Sequence, residues 1–192
     1  ILITDAWSVE RHIAAFSYMA KALAGHTQTA VISFIDLYEK TRRNFPEARS
    51  VAQEDRLRLG KAMAEIAGQY GMALRPCGEG DELAPFGADC GGCMTVAMYE
   101  QALGQRLRVP RFAPARKACA CYLGGDIGAY NSCGHLCRYC YANADPEAVR
   151  ANMKLHDPAS PLLIGHLQPG DRVRLAAQES WIDPQTRMEL YF

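Results

Sequence analysis

Residues 117–143 read KACACYLGGDIGAYNSCGHLCRYCYAN and contain five of the chain's eight cysteines. The last three, Cys133, Cys137 and Cys140, have the spacing C-x-x-x-C-x-x-C, and Tyr139 directly precedes the third. A loop with this spacing can turn three thiolates toward one point, and thiolates are preferred by iron–sulfur clusters, zinc and Cu(I). Because a [4Fe–4S] cluster usually takes one cysteine per iron, a cluster held by this loop would leave one iron open to a small molecule.

The pattern from Cys133 to Cys140 resembles the cluster-binding signature of radical S-adenosylmethionine (SAM) enzymes, including the aromatic residue before the third cysteine. Nearly the whole chain is also similar to a narrower bacterial family, filed as a domain of unknown function, whose C-terminal cysteines resemble the radical-SAM loop. The segments that carry this second resemblance are Cys119-x-Cys121, Asp126-Ile127-Gly128-x-Tyr130, Cys140-Tyr141-Ala142-Asn143, Ser33-Phe34-Ile35-Asp36-x-Tyr38, Cys77 and Cys93.

The resemblance implies that Cys133, Cys137 and Cys140 bind a [4Fe–4S] cluster whose fourth iron is chelated by SAM. The reduced cluster would cleave SAM to methionine and a 5′-deoxyadenosyl radical, which abstracts hydrogen from a substrate that the sequence does not name. Reduced flavodoxin or ferredoxin would be the electron donor. The protein would hold these groups in register and exclude water. Tyr139 and Tyr141 would either shield the cluster or pack into the core.

Two other functions stay open, and no catalytic residue is assigned. The first is an iron–sulfur electron-transfer protein that does not use SAM, with Cys119 or Cys121 as the fourth ligand. The second is a zinc-stabilised binding module. His135, inside the loop, is either a ligand or a hydrogen-bonding loop residue.

The remaining cysteines predict a second metal site. Cys119 and Cys121 form a C-x-C pair, Cys77 lies at the end of a predicted strand, and Cys93 precedes a predicted helix. Four thiolates suffice for a second [4Fe–4S] cluster or for a tetrahedral zinc ion. Cys90, in the pattern Cys90-x-x-Cys93, competes with Cys77 for membership, and independent buried thiols are the alternative.

The first half of the chain alternates strand and helix patterns. Apolar runs predict strands over 1–4, 30–36 and 72–77. One helix is predicted between Ser8 and Gly25. A second helix is predicted from the Ser50–Gln53 capping box to Gly71. This order predicts parallel strands with right-handed crossovers. We therefore expect an α/β fold, a partial or permuted TIM-like (β/α) barrel, with the iron–sulfur loop toward the C-terminus. In most radical-SAM enzymes the cysteine loop follows the first strand of the barrel, so here either the barrel is permuted or only the loop has been reused.

Active sites of parallel α/β folds lie at the carboxyl ends of the strands. Those ends carry Asp5, Asp36 with Tyr38, and Cys77 with Glu79, although each acidic residue can also simply cap a helix. The segment 124–126 reads Gly-Gly-Asp and is similar to the SAM-contacting segment of radical-SAM enzymes. It precedes the cysteines instead of following them, so a tight turn is the simpler interpretation.

The predicted organisation has three parts. Residues 1–104 form parallel β/α units, and we expect a further N-terminal portion before Ile1. Residues 105–156 form a cysteine-rich metal-cluster region packed on the same domain, and residues 157–192 form a C-terminal extension. Helices are predicted after Thr95 and after Asp145-Pro146.

Composition excludes several classes of partner. The chain has 192 residues, is 49% hydrophobic and has equal numbers of basic and acidic residues, 21 of each. This balance argues against a nucleic-acid-binding surface, although five basic residues lie between Arg106 and Lys117. No apolar run approaches the ~20 residues of a membrane span, and no secretory signal is recognisable. We therefore expect a cytoplasmic protein with no membrane partner.

Overall fold

The computed structural model describes residues 1–110, 119, 121–122, 128–175 and 179–185. These residues form five α-helices, one 3-10 helix and two strands. In chain order they are α1 (Val9–Leu23), β1 (Thr29–Ile32), α2 (Glu39–Asn44), α3 (Gln53–Gln69), β2 (Ala73–Pro76), the 3-10 helix Ala84–Phe86, α4 (Val96–Leu103) and α5 (Pro146–Lys154).

The two strands pair in parallel, as the alternation of strands and helices predicts. Thr29 lies opposite Ala73 and Ile32 lies opposite Pro76. Parallel strands need a long crossover connection, and here the segment between them carries α2 and α3. The described residues show the α/β pairing itself, and the barrel stays a prediction.

The predicted strand over 1–4 is wrong. Thr4 and Trp7 form an isolated antiparallel bridge, in which each backbone N–H donates to the other's carbonyl at 3.1 and 3.0 Å. The Thr4 hydroxyl also accepts from the Trp7 N–H. This tight turn reverses the chain where a strand would have to continue. The segment after β1 contains the short helix α2, which no sequence pattern predicted.

The helix starts predicted at Thr95 and Asp145 are confirmed, whereas α3 begins at Gln53 instead of directly after Ser50. The Thr95 hydroxyl accepts from the Met98 N–H at 3.3 Å at the start of α4. At the start of α5, the Asp145 carboxylate accepts from the N–H groups of Glu147 and Ala148. Each side chain satisfies backbone donors that the first helical turn leaves unpaired.

The chain divides into two compact units that are each assembled from several segments. The loop unit comprises residues 1–18, 34–59 and 125–174, and the sheet unit comprises residues 19–33, 60–124 and 175–192. Buried residues of the loop unit include Val9, Phe16, Phe34, Leu59 and Val149, and those of the sheet unit include Ile32, Met63, Leu74 and Leu83. The predicted three-part division along the sequence stays a prediction. None of the described helices has the length and apolar character needed to cross a membrane.

Candidate metal centres

Cysteines from three separate segments meet in the sheet unit. The Sγ atoms of Cys77, Cys93 and Cys121 all lie within 4.8 Å of one another, and those of Cys93 and Cys121 are 3.0 Å apart. Cys119 is buried in the same cluster. The structure thus brings together three of the four cysteines assigned to a second site in a group that can hold a metal ion, and the fourth, Cys119, is buried beside them. Cys90 is not in this group, and its thiol lies 3.8 Å from the Ala88 carbonyl.

Strand β2 positions Cys77. The backbone N–H of Cys77 donates to the Ile32 carbonyl at 2.8 Å, which extends the parallel ladder one residue beyond β2. Gly78 follows with a φ of 75°, a left-handed conformation that side chains disfavour. The chain therefore turns away at once, and the Cys77 side chain stays at the carboxyl edge of the sheet.

Arg75, in strand β2, holds the segment that carries Cys93 beside that strand. Its guanidinium forms an ion pair with Asp89 at 2.7 Å and donates to the Gly92 carbonyl at 2.8 Å. The Asp89 N–H also donates to the Leu74 carbonyl at 2.8 Å, which holds this segment beside β2. Cys93 is therefore placed by both side-chain and backbone contacts to the strand.

Cys121 is placed by pairing with the residues around Cys93. The Tyr122 N–H donates to the Met94 carbonyl at 2.7 Å. The backbone N–H of Met94 also acts to lower the pKa of the Cys121 thiol. Hydrogen bonds from backbone N–H groups to sulfur are a common way for proteins to orient and tune metal-bound thiolates.

The cysteines of this group differ in the direction in which their pKa values are shifted. Burial, together with the hydrogen bonds from its thiol to Cys121 and Cys77, raises the pKa of Cys93 to about 12. Burial also acts to raise the pKa of Cys121, but hydrogen bonds from the Cys93 thiol, from backbone N–H groups and from Cys119 outweigh burial and lower that pKa. Cys121 is thus the preferred thiolate of the cluster, and thiolates are the form that binds metals.

The loop cysteines lie in a different environment. Cys133 and Cys137 are exposed and Cys140 is half-buried. Within the part of the chain that the structure describes, their three sulfurs do not all lie within 4.8 Å of one another as those of Cys77, Cys93 and Cys121 do. A [4Fe–4S] cluster binds each thiolate to a different iron, so its cysteines lie farther apart than the ligands of one ion.

Two buried polar side chains fix the backbone of this loop. The Asn143 amide donates to the Cys133 carbonyl at 2.7 Å, and the Thr41 hydroxyl donates to the Tyr139 carbonyl at 3.3 Å. The Cys140 N–H donates to the Cys137 carbonyl at 2.9 Å and closes a turn. The loop is therefore held at both ends while its first two thiols remain accessible.

Further contacts anchor the outer side of the loop. The Arg138 guanidinium pairs with Glu47 and stacks over the Phe45 ring at 4.2 Å. Hydrogen bonds from the backbone N–H of Glu47 itself and from Arg138 lower the pKa of Glu47. Leu136, between the first two cysteines, has a φ of 50°. Such a conformation is strained for leucine and is often found where backbone encloses a ligand.

Aromatic side chains surround the loop without entering the core. Tyr139 is 56% exposed and Tyr141 is 55% exposed, so the interpretation of these residues as core packing is wrong. The Tyr141 ring lies 5.4 Å from the ring of Tyr38, whose hydroxyl donates to the Asp36 carboxylate at 3.4 Å. Asp36 and Tyr38, predicted near the active site, thus lie beside the cysteine loop.

The structure describes only some of the other residues that the sequence analysis singled out. His135 is exposed in the loop, and Asp5 lies exposed in the turn between Thr4 and Trp7. Glu79 is half-buried. Several residues singled out from the sequence lie outside the described part of the chain: Arg111, Arg116, Lys117, Gly124, Gly125, Asp126 and Ile127.

Sequence reasoning missed the residues that position the sulfurs. Arg75 stands in a strand and Thr41 in a short helix that no pattern predicted, and the roles of both depend on tertiary contacts. Asn143 could have been found, because it ends the cysteine-rich segment and asparagine commonly hydrogen-bonds loop backbone.

The fold and the thiol group define a cysteine-rich α/β protein with a group that can hold a metal ion. The chain belongs to the family described as Domain of unknown function (DUF1848), whose profile matches residues 1–142. This range contains all eight cysteines. No curated protein and no solved structure matches the chain.

Proposed function

We propose that this protein is a radical-SAM-like iron–sulfur enzyme. Cys133, Cys137 and Cys140 bind a [4Fe–4S] cluster, and SAM binds its fourth iron. The observation that carries the proposal is the contrast within this loop, where Cys133 and Cys137 are exposed but the backbone is fixed by buried Asn143 and Thr41. A loop in this state can take up a cluster without having to become ordered first.

The donor set fits the proposed cofactor. Three thiolates on one loop suit an iron–sulfur cluster, and the exposed side of the loop leaves room for a group larger than a single ion. When bound, the cluster and SAM supply one-electron reductive cleavage and a carbon radical for hydrogen abstraction. The residues of the chain then have to hold both groups in place and limit the access of water.

Three tyrosines beside the loop are suited to limiting the access of water: Tyr38, Tyr139 and Tyr141. Tyr139 and Tyr141 are more than half exposed, and the Tyr38–Tyr141 pair stands beside the loop. Aromatic rings over a cluster exclude water and thereby influence its reduction potential. The Asp36 carboxylate, which accepts from Tyr38, fixes one of these rings and offers an acceptor close to the loop.

The remaining parts of the proposal follow from the resemblance. The fold is a partial or permuted TIM-like barrel, the electron donor is a reduced flavodoxin or ferredoxin, and the protein acts in the cytoplasm on a substrate still to be identified. The absence of a membrane-spanning helix among the described residues is compatible with this placement.

The experiment is electron paramagnetic resonance of the reduced protein after anaerobic reconstitution with iron and sulfide. We expect a [4Fe–4S] signal that changes when SAM is added, together with SAM-dependent formation of 5′-deoxyadenosine. The triple variant Cys133→Ala/Cys137→Ala/Cys140→Ala should lose both, and Cys90→Ala, outside both cysteine groups, should keep both. A cluster that does not respond to SAM would make the protein an electron carrier. Failure of the loop to bind a cluster overturns the proposal.

A further inference from the structure

We propose that Cys77, Cys93, Cys119 and Cys121 bind one Zn²⁺ ion in a closed tetrahedral site, separate from the cluster of the cysteine loop. The site lies wholly in the sheet unit, where strand β2, the segment before α4 and the C-x-C segment meet. The inference goes beyond the proposed function, because it concerns other residues and a structural role.

The sulfur spacing favours a single ion over a cluster. In a tetrahedral zinc site with Zn–S bonds of about 2.3 Å, neighbouring sulfurs lie about 3.8 Å apart. The separations here range from 3.0 Å for Cys93 and Cys121 to at most 4.8 Å within the set that includes Cys77. One ion can therefore be contacted by all three sulfurs after small side-chain movements. A [4Fe–4S] cluster would have to push them apart, because each thiolate binds a different iron.

Cys119 supplies the fourth ligand. It is buried in the same cluster as the other three but lies outside the set of sulfurs within 4.8 Å of one another, so a side-chain movement brings its sulfur to the ion. Two cysteines in a C-x-C pair lie on the same face of an extended chain, because side chains alternate with a period of two. Here both are buried in one group, which is the arrangement that a shared ion requires.

Burial points to a structural site. Cys93, Cys119 and Cys121 are only 7%, 8% and 5% exposed, and Cys77 packs against them. Structural zinc sites have four protein ligands and are closed, whereas catalytic sites keep a position open for water or substrate. Four thiolates fill the coordination sphere and leave no open position.

The surroundings are built like the outer shell of a metal site. The Tyr122 N–H donates to the Met94 carbonyl at 2.7 Å, and Arg75 holds the segment that leads to Cys93 through Asp89 and Gly92. Gly92 has a φ of 113°, so the backbone turns sharply directly before Cys93. Outer contacts of this kind orient ligands and are important for metal affinity.

Neither disulfide bonds nor independent thiols explain the convergence of these four cysteines as well as a zinc ion does. The 3.0 Å separation of Cys93 and Cys121 is well above the ~2.05 Å of a disulfide bond. Independent buried thiols behave as small apolar side chains and give no reason for four of them to gather from three segments. A zinc ion links those segments, and its binding energy contributes directly to folding.

The test uses the full chain, purified without oxygen and without iron reconstitution. We expect one zinc per chain by elemental analysis and four sulfur neighbours at about 2.3 Å by X-ray absorption at the zinc edge. Cobalt substitution should give the visible spectrum of a tetrahedral thiolate site. Less than half a zinc per chain, fewer than four sulfur neighbours, iron in place of zinc or a Cys93–Cys121 disulfide overturns the proposal.

Variants separate this site from the cysteine loop. Because losing an outer contact alone costs about 10–100-fold in affinity, we expect Cys119→Ser to weaken zinc binding by at least about 100-fold. Cys90→Ser is the matched control and should bind zinc normally. The triple loop variant Cys133→Ala/Cys137→Ala/Cys140→Ala should lose iron uptake but keep its zinc, so the two proposals can fail independently. Normal zinc binding by Cys119→Ser, or loss of zinc from the triple loop variant, also overturns the inference.

Discussion

The sulfur atoms of Cys93 and Cys121 lie 3.0 Å apart although 28 positions separate them in the chain. The contact joins the segment before α4 to the C-x-C segment, and Cys77 adds the end of β2. Three parts of the sheet unit therefore meet at one buried point. The stability of this unit should depend on what the sulfurs bind.

Removal of zinc should lower the unfolding temperature. If the four thiols bind Zn²⁺, a chelator removes a contribution of ~2 kcal/mol or more, which corresponds to a decrease of at least about 5 °C for a chain of this length. Differential scanning calorimetry with and without chelator measures the change. Readdition of zinc to the chelated protein should reverse it. An unfolding temperature that is unaffected by chelation would contradict the prediction.

Gly60→Ala should destabilise the protein by about 1–3 kcal/mol, the usual range for overpacking a core. Gly60 lies in α3, and an added Cβ would overlap the side chain of buried Leu83, whose Cγ would be only 2.9 Å away. Gly68→Ala is a control in the same helix, because its Cβ would meet nothing within 4 Å.

Alanine has the higher helix propensity, so we expect Gly68→Ala to be neutral or to stabilise by up to about 1 kcal/mol. Urea unfolding measures both changes. Equal effects of the two substitutions would show that the overlap of the added Cβ with Leu83 does not lower the free energy of unfolding.

Asn143→Asp should loosen the cysteine loop. The Asn143 amide donates to the Cys133 carbonyl at 2.7 Å in a buried position. Aspartate has the same size but presents an acceptor to that carbonyl, so the hydrogen bond is lost and a buried group is left unsatisfied. The expected cost is about 1–3 kcal/mol, with reduced iron uptake on reconstitution.

The exposed Asn44 provides the control. Asn44→Asp should change the free energy of unfolding by less than about 0.5 kcal/mol and leave iron uptake unchanged. If Asn143→Asp takes up iron as the unchanged protein does, the hydrogen bond to Cys133 does not hold the loop in place for the cluster.

The titration of Glu47 should report on the contact that anchors Arg138. Hydrogen bonds from the backbone N–H of Glu47 itself and from Arg138 lower the pKa of Glu47 in the folded protein. The ion pair therefore exists above this pKa and is lost as the pH falls through it. Arg138→Gln should raise the pKa of Glu47 only part of the way to its usual value, because the backbone hydrogen bond remains.

NMR titration of the side-chain carboxyl carbons measures this pKa directly. Arg138→Lys, which keeps the charge, is the comparison and should have a smaller effect. A Glu47 titration that is identical in the Arg138→Gln protein would show that the ion pair does not form in solution.

The sequence alone predicted the elements whose signals are local. Thr95 and Asp145 cap α4 and α5 as expected, because an N-cap depends only on residues within one turn. The parallel pairing of β1 and β2 follows from their alternation with helices. The strand over 1–4 failed because a four-residue apolar run carries no information about its partner, and here the chain turns back at Thr4.

The sequence by itself determined which residues can bind metal, because thiolate chemistry and cysteine spacing are properties of the chain alone. It grouped Cys77 with Cys93, Cys119 and Cys121, but it left Cys90 as a competitor. Only the tertiary structure decided in favour of Cys77, since the Cys77 N–H extends the β1–β2 ladder and places that side chain at the buried meeting point. The tertiary structure also separated a buried thiol group from an exposed cysteine loop. The physical reason is that burial depends on packing between distant segments, which no local pattern encodes.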